Sequence, residues 1–221
     1  MRAEHTTAET QFGAAKRVTH VNTSWEAAKF ETSMHRFVLV DEPGFGVALV
    51  NYSIYGYDTT RTADEGRVTT TVRLSLLRAP RFPDPETDQG TQTHRFGLVV
   101  GTDLAGATAQ GAAMNLDPTV VLGEHGSEPL VEASPEVIVS SVKLADDRSG
   151  DLVVRVYEPV GRRVRATVRL DLPVASVASV SLLEEPLADA EPLEVGADGT
   201  VELALGGFEV RTLRVVRSAG A

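Results

Sequence analysis

The sequence of 221 residues contains no cysteine, which excludes disulfide bonds and every metal site built on thiolates. It has no apolar run of about 18 residues, so no segment is predicted to span a membrane. Acidic residues outnumber basic residues by 31 to 21, which argues against nucleic acid or an anionic membrane as a partner. We therefore expect a globular protein of the cytoplasm.

Short runs rich in β-branched residues, each followed by turn residues, dominate the chain, as is typical of antiparallel sheets. In RVRATVRL (163–170) the apolar residues alternate with Arg and Thr, which predicts a strand with one buried face and one exposed face. The predicted strands are His35–Val40, Phe45–Val50, Val68–Leu77, Thr93–Val100, Ile138–Leu144, Leu152–Glu158, Val164–Leu170, Val177–Leu183, Thr200–Leu205 and Val210–Val216.

One helix is predicted, over Asp103–Asn115. Asp103 is a suitable N-cap, and Pro118 follows just beyond the end. The segment is rich in Ala and Gly, which predicts a short and marginal helix. Residues 1–17 lack the apolar core of a signal peptide, and we predict them to be a disordered leader.

The polar segment 123–135, with two prolines and no periodicity, is interpreted as a linker or an extended crossover. It divides the chain into residues 18–130 and residues 131–221. The second part has strands at regular spacing, enough for a compact sandwich. The sequence thus predicts an all-β fold, with an antiparallel β-sandwich, a smaller C-terminal β-sandwich and one short helix.

Motifs for catalysis are lacking. The chain has no Gly-x-Ser-x-Gly elbow and no glycine-rich phosphate loop, and its five histidines lack metal-ligand spacing. His35 and His94 each begin an HRF tripeptide, and we expect them to pair with backbone or carboxylate groups. A glycosidase needs two carboxylates about 5 to 9 Å apart, and the acids available for such a pair are better explained as solvated loop charges. These are Asp41, Glu42, Asp58, Asp84, Glu86 and Asp88. No catalytic residue and no metal ligand is therefore predicted.

One stretch has an unusual composition for a turn. GFGVALVNYSIYGYD (44–58) begins as a strand and then turns through polar and aromatic residues. A plain hairpin would use a short Asn-Gly or Asp-Gly turn. The stretch is either a packed corner between sheets or a loop shaped to meet something. Its candidate site residues are Asn51, Tyr55, Gly56, Tyr57 and Asp58.

Long motifs in the chain resemble a known family. Residues 22–58 (NTSWEAAKF to YGYD) and 73–96 (RLSLLRAPRFPDPETDQGTQTHRF) resemble the C-terminal part of family 38 glycoside hydrolases, the retaining α-mannosidases, and most closely their bacterial and cytosolic branch. Residues 137–170 and 206–216 resemble the small β-sandwich that closes those enzymes. The resemblance implies that residues 18–130 are the end of a large, galactose-mutarotase-like super-sandwich and that residues 131–221 are the small sandwich.

The resemblance also implies what this chain leaves to another part of the enzyme. In that family the nucleophile, the acid/base carboxylate and the zinc ligands belong to an N-terminal catalytic domain and the region just after it, outside this sequence. We therefore expect no cofactor in this chain, with zinc in the catalytic domain. The chain would support that domain, present in cis or as a separate chain, and complete the cleft for α-mannosides or glycans.

Local expectations follow from the same resemblance. The corner Asn51–Asp58 is expected to face the catalytic domain or to line the outer wall of the mannose pocket. Tyr52 stands where the family usually has Asp, which puts in doubt any contact made by that carboxylate. Glu26 similarly replaces the usual Asp after Trp25, and Trp25 is expected to anchor the first strand region.

Two other functions remain open from the sequence. The chain could be a freestanding carbohydrate-binding or assembly module, although an aromatic content of 5% argues against a strong sugar-binding platform. A hydrolase active by itself would need a carboxylate pair that the sequence does not indicate. If an interface for a catalytic domain is left uncovered, the isolated chain should form a dimer or a larger homo-oligomer.

Overall fold

The computed structural model describes residues 3–120, 122–123, 128–188, 190 and 193–218. The chain divides into two compact units, unit 1 (Met1–Thr119) and unit 2 (Val120–Ala221), whereas the sequence placed the boundary near residue 130. The helices are α1 (Ser24–Ala27) and α2 (Leu104–Asn115), and neither is long and apolar enough to cross a membrane. The strands are β1 (His5–Thr10), β2 (Gly13–Val18), β3 (Thr32–Ser33), β4 (Phe37–Glu42), β5 (Phe45–Tyr52), β6 (Gly56–Asp64), β7 (Arg67–Ser75), β8 (Arg95–Val100), β9 (Val131–Ala133), β10 (Ile138–Leu144), β11 (Leu152–Tyr157), β12 (Val164–Leu170), β13 (Val174–Val180), β14 (Thr200–Leu205) and β15 (Val210–Arg217).

Unit 1 is built on a five-stranded antiparallel sheet in the order β2-β1-β4-β5-β8 and a three-stranded sheet in the order β3-β6-β7. A cluster of buried side chains from both sheets includes Val38, Ile54 and Tyr57, with Leu49 packed against it. Because alternate residues of a strand point to opposite faces, the other face of the large sheet needs its own cover. Helix α2 supplies that cover.

Helix α2 has the bounds that the sequence predicted. The Asp103 carboxylate accepts a hydrogen bond from the Gly106 N–H (2.9 Å), which caps the first turn. Buried positions on the helix carry small residues, and an added Cβ at Gly111 would lie 3.1 Å from the Cβ of Arg36. The small residues therefore let α2 pack closely on the buried side chains Phe37 and Val50.

The N-terminal prediction was wrong. Residues 1–17 were expected to form a disordered leader, but β1 and β2 pair as a hairpin from His5↔Val18 to Thr10↔Gly13. Strand β1 also pairs with β4, and Ala8 is fully buried. The segment was missed because the buried residues of β1 are Thr, Ala and Glu rather than bulky apolar residues.

Other elements also differ from the prediction. The turn α1 and the short strand β3 were not foreseen, and β6 begins inside the predicted corner. The predicted linker 123–135 contains β9, which pairs with β12. Strand β13 begins and ends three residues earlier than expected, because a turn with a Ser181 N–H to Glu185 O hydrogen bond (2.8 Å) follows it. The all-β class is nevertheless confirmed.

Unit 2 contains a four-stranded sheet in the order β10-β11-β15-β13 and a three-stranded sheet in the order β14-β12-β9. A single buried cluster includes Val154, Val168, Val201 and Leu213, drawn from both sheets, and each of these side chains is at most 1% exposed. Burying a Val or Leu side chain contributes about 1.5 to 3 kcal/mol. In β12 the buried residues Ala166, Val168 and Leu170 alternate with more exposed residues, as the sequence RVRATVRL predicted.

A buried carboxylate organises one end of unit 2. Glu158 is fully buried, and it accepts hydrogen bonds from the backbone N–H groups of Val160 (3.1 Å), Gly161 (2.6 Å), Arg162 (3.0 Å) and Phe208 (3.1 Å). Burial raises the pKa of Glu158, but the four hydrogen bonds outweigh it, so the pKa lies below its ordinary value. One ionised side chain thus ties the loop after β11 to the loop before β15.

Candidate functional site at the β5–β6 corner

Asn51 is a structural clamp at the end of β5. Its side-chain amide donates to the main-chain oxygen of His35 (3.1 Å), and its Oδ1 accepts from the N–H of Ile54 (2.8 Å). Asn115, the last residue of α2, donates to the main-chain oxygen of Asn51 (2.8 Å). Asn51 is fully buried, so its side chain holds the corner in shape and does not reach a substrate or partner surface.

Tyr55 is the exposed aromatic residue of the corner, with 59% of its surface accessible. Its ring stacks on His35 with ring centroids 5.9 Å apart and an interplanar angle of 11°. The main-chain oxygen of Tyr55 accepts a hydrogen bond from the Met34 N–H (2.8 Å), which fixes the loop against the start of β4. The stacked pair therefore presents an ordered aromatic surface to solvent.

A buried acid supports this pair. Glu9 of β1 is 3% exposed, and its Oε2 lies 3.6 Å from His35 Nδ1, so His35 has a carboxylate beside it, one of the two kinds of partner, backbone or carboxylate, that the sequence led us to expect. The same carboxylate accepts from the Arg36 N–H (2.8 Å) and from the Arg36 guanidinium. Sequence reasoning missed Glu9 because it lies in the segment interpreted as a leader. The hairpin brings it beneath residues distant in sequence.

Tyr57 does not have the position expected of it. Its side chain is fully buried, and its hydroxyl lies 3.2 Å from Thr6 Oγ1 and accepts from Arg17 Nη1 (3.3 Å). A buried tyrosine normally finds such partners for its hydroxyl. The expectation that Tyr57 faces a substrate or an interface is therefore corrected: Tyr57 is part of the core of unit 1 and contacts the N-terminal hairpin.

Gly56 and Asp58 belong to β6. An added Cβ at Gly56 would come within 2.9 Å of Ser75 Cβ and would collide with Glu31, so the close strand pairing requires glycine. Asp58 is half-buried and accepts from Arg73 Nε (2.9 Å) across the β6–β7 pair. Of the five residues predicted for the site, Tyr55 is the one with a freely accessible side chain.

Two other aromatic residues were singled out from the sequence, Trp25 and Tyr52. Trp25 is 71% exposed on α1 with Lys29 Nζ 5.2 Å from its ring centroid, so it is not a buried anchor. Tyr52 lies under the Arg95 guanidinium at 4.3 Å. This is a cation–π contact between neighbouring strands, and it gives Tyr52 a partner on β8.

The residues described do not form a metal centre. No group of three or more His, Asp or Glu side chains in the described ranges is placed to hold a metal ion, and His125 lies outside them. The acids Asp84 and Asp88 are exposed and accept hydrogen bonds from the Glu86 N–H (2.9 Å) and the Ala79 N–H (3.1 Å) of their own loop. The described part of the chain therefore does not fit a zinc site, and no chemical step is assigned to it.

Comparison with known proteins defines the class. Residues 1–86 match the family model for the glycosyl hydrolases family 38 C-terminal domain, and residues 136–213 match that for the glycosyl hydrolases family 38 C-terminal beta sandwich domain. The two β-sandwich units are thus those of a glycosyl hydrolase C-terminal region. The chain belongs to glycosyl hydrolase family 38.

Similar proteins are much longer than this chain. Alpha-mannosidase 2C1 of Homo sapiens is 33% identical over 226 residues, which cover 98% of this chain and 21% of that protein. Alpha-mannosidase of Saccharomyces cerevisiae is 29% identical over 231 residues, covering 94% of this chain and 21% of that protein. The chain therefore spans about a fifth of the length of the curated relatives it matches.

A solved structure has the same fold. The crystal structure of an alpha-mannosidase from Enterococcus faecalis V583 matches with a TM-score of 0.69 and 20% identity, over 97% of this chain and 24% of that chain. At this identity the likeness concerns the fold alone.

Proposed function

We propose that this chain supports the catalytic domain of a family 38 α-mannosidase and completes its substrate cleft, while the nucleophile and zinc ligands belong to that domain. One observation carries the proposal: nearly the whole chain matches α-mannosidases, yet it accounts for only about a fifth of their length. The remaining length is where the catalytic part and its zinc are expected, in cis or as a separate chain.

The corner Asn51–Asp58 is consistent with this role because its conformation is fixed by buried side chains. Asn51 and Glu9 hold the loop from within, and Tyr55 stacked on His35 is the surface that they fix. An ordered aromatic residue with a polar tip suits either packing against a protein domain or contact with a sugar hydroxyl. Preorganisation matters in both cases, because a loop that is already ordered loses less entropy on binding.

Hydrolysis of an aryl α-mannoside by the purified chain tests the first half of the proposal. We expect no turnover above buffer, with or without added zinc, because no set of acids and histidines converges in the described residues. Turnover that disappears with a chelator would contradict the proposal and would mean that this chain holds its own site.

The exposure of Trp25 favours a second candidate function, that of a freestanding carbohydrate-binding module. Trp25 is the only tryptophan, so intrinsic fluorescence reports on this one site. Under the second candidate, mannose or mannobiose shifts the emission with a saturating dependence, and Trp25→Ala abolishes binding measured by calorimetry. Under the main proposal neither sugar binds the isolated chain at millimolar concentration.

A further inference from the structure

Strand β8 is an open edge of the large sheet in unit 1. It pairs with β5 on one side, from Val47↔Val100 to Tyr52↔Arg95, and it ends the strand order on the other. Open edges present unpaired N–H and C=O groups, and proteins usually protect them with lysine, proline, bulges or cover. Beyond Arg95, which stacks on Tyr52, β8 has no charged residue and no proline. The edge is therefore chemically unprotected.

The two faces of β8 differ. Gly97 and Val99 point to α2, where an added Cβ at Gly97 would lie 3.1 Å from Met114 and Val99 packs against the buried cluster. The alternate residues Phe96, Leu98 and Val100 are 56%, 66% and 63% exposed. One face of β8 is therefore packed against α2, and the other face exposes three large apolar side chains.

The exposed residues of β8 lie beside two parts of unit 1 already described, the buried cluster between the sheets and the corner. Leu98 lies opposite Leu49, which packs against the buried cluster between the two sheets. Leu98 is thus on the same face of the sheet as that cluster, but it is exposed. Phe96 lies opposite Asn51, the clamp of the corner. The β8 row, Phe96, Leu98 and Val100, thus runs from beside the core to beside Asn51, the first residue of the corner.

We propose that β8 is the docking strand for the rest of the family 38 polypeptide, which adds a strand to this edge and covers the β8 row with apolar side chains. This inference rests on the proposed function. Three facts indicate which polypeptide binds there. The β8 row adjoins the buried cluster of unit 1, it adjoins Asn51 of the corner, and about four-fifths of the length of the relatives lies outside the matched region. Strand addition supplies main-chain hydrogen bonds, and the alternate side chains supply specificity.

The test is a binding measurement. The partner is human alpha-mannosidase 2C1 without the fifth that this chain matches, and the excised human segment serves as positive control. Leu98→Lys places a charge in the β8 row. Leu144→Lys is the matched control, because Leu144 is 61% exposed on β10, an edge strand of unit 2. We expect the dissociation constant to rise at least about tenfold with Leu98→Lys and less than about twofold with Leu144→Lys, the equivalent of about 1.4 kcal/mol for tenfold.

Hydrogen exchange provides a second readout. We expect the β8 amides that point away from β5 to exchange rapidly in the chain alone and to gain protection in the complex, whereas those bonded to β5 are protected in both. Binding that Leu98→Lys leaves intact, without protection of β8, overturns the inference but not the proposed function. Failure of the wild-type chain to bind while the human segment does overturns both. Protection of β8 that rises with the concentration of the chain alone identifies a second copy as the occupant and also overturns the inference.

Discussion

Replacing Glu158 by Gln should destabilise unit 2 out of proportion to the size of the change. One carboxylate oxygen accepts from the N–H groups of Gly161, Arg162 and Phe208, and the other accepts from Val160. Glutamine keeps the shape but has a single acceptor oxygen. With that oxygen facing the three N–H groups, its NH₂ group faces the Val160 donor.

The magnitude follows from the number of donors affected. Three hydrogen bonds lose their charge assistance, which lowers each by about 1 kcal/mol, and one buried donor loses its acceptor at a cost of about 1 to 3 kcal/mol. These losses add to about 4 to 6 kcal/mol, and local relaxation of the loops lets part of this be recovered, so we expect the free energy of unfolding to fall by at least about 3 kcal/mol. That is a large share of the roughly 5 to 15 kcal/mol that stabilises a typical domain.

Urea unfolding followed by pulsed hydrogen exchange and mass spectrometry measures this effect, because peptides of the two units are read separately. With a slope of about 2 kcal/mol/M, the unit 2 midpoint should fall by about 1.5 M while the unit 1 midpoint stays constant. Glu132→Gln is the control: its pair with Arg169 is about half exposed, so its loss costs below about 1 kcal/mol. A Glu158→Gln midpoint equal to that of the control would refute the assigned role.

Two further predictions concern acid stability and the corner. The Ser149 N–H and hydroxyl and the Arg214 guanidinium lower the pKa of Asp147 to about 2, from 3.8. A carboxyl whose pKa is lower in the folded state than in the unfolded state stabilises the protein at pH values above the unfolded pKa, so this contribution should vanish as the pH falls from about 4 through about 2. Asp147→Asn should therefore flatten the pH dependence of the unit 2 midpoint. An unchanged pH dependence would contradict this role of Asp147. Asn51→Ala leaves the His35 carbonyl and the Ile54 N–H without partners, so the unit 1 midpoint in the same exchange experiment should report a loss of about 2 to 4 kcal/mol. Asp58→Asn, which removes a more exposed ion pair, should cost below about 1 kcal/mol, and equal losses would exclude the clamp.

The strands predicted well from sequence are those whose burial depends on bulky alternating residues. Strands β12 and β14 have the predicted bounds, because Val164, Val168 and Leu205 fall on one face and the polar residues on the other. Strand β6 lacks this signal, since its residues are mostly Thr and other polar types. Its two-residue turn has positive φ at both Glu65 and Gly66 (46° and 77°), as the favoured hairpin turns require, and Gly66 is the only sign of this turn in the sequence.

The sequence does not show which of the five candidate residues at the corner are exposed. Sequence shows that a tyrosine lies in a corner, but burial depends on which distant segments meet there. Tyr57 is enclosed because the N-terminal hairpin supplies Thr6 and Arg17, and Tyr55 stays outside. The one-turn helix α1 had a readable signal: Thr23-Ser-Trp-Glu26 has the sequence pattern of a capping box, and Thr23 caps the helix by accepting from the Glu26 N–H (3.4 Å).

Reconstitution of activity tests the central claim most directly. Human alpha-mannosidase 2C1 lacking the matched fifth would be mixed with this chain and assayed on an aryl α-mannoside, with the excised human segment as reference. The account predicts that each component alone is inactive and that the mixture recovers activity that a zinc chelator removes. Recovery with the human segment but none with this chain would contradict the proposal that the chain supports a family 38 catalytic domain.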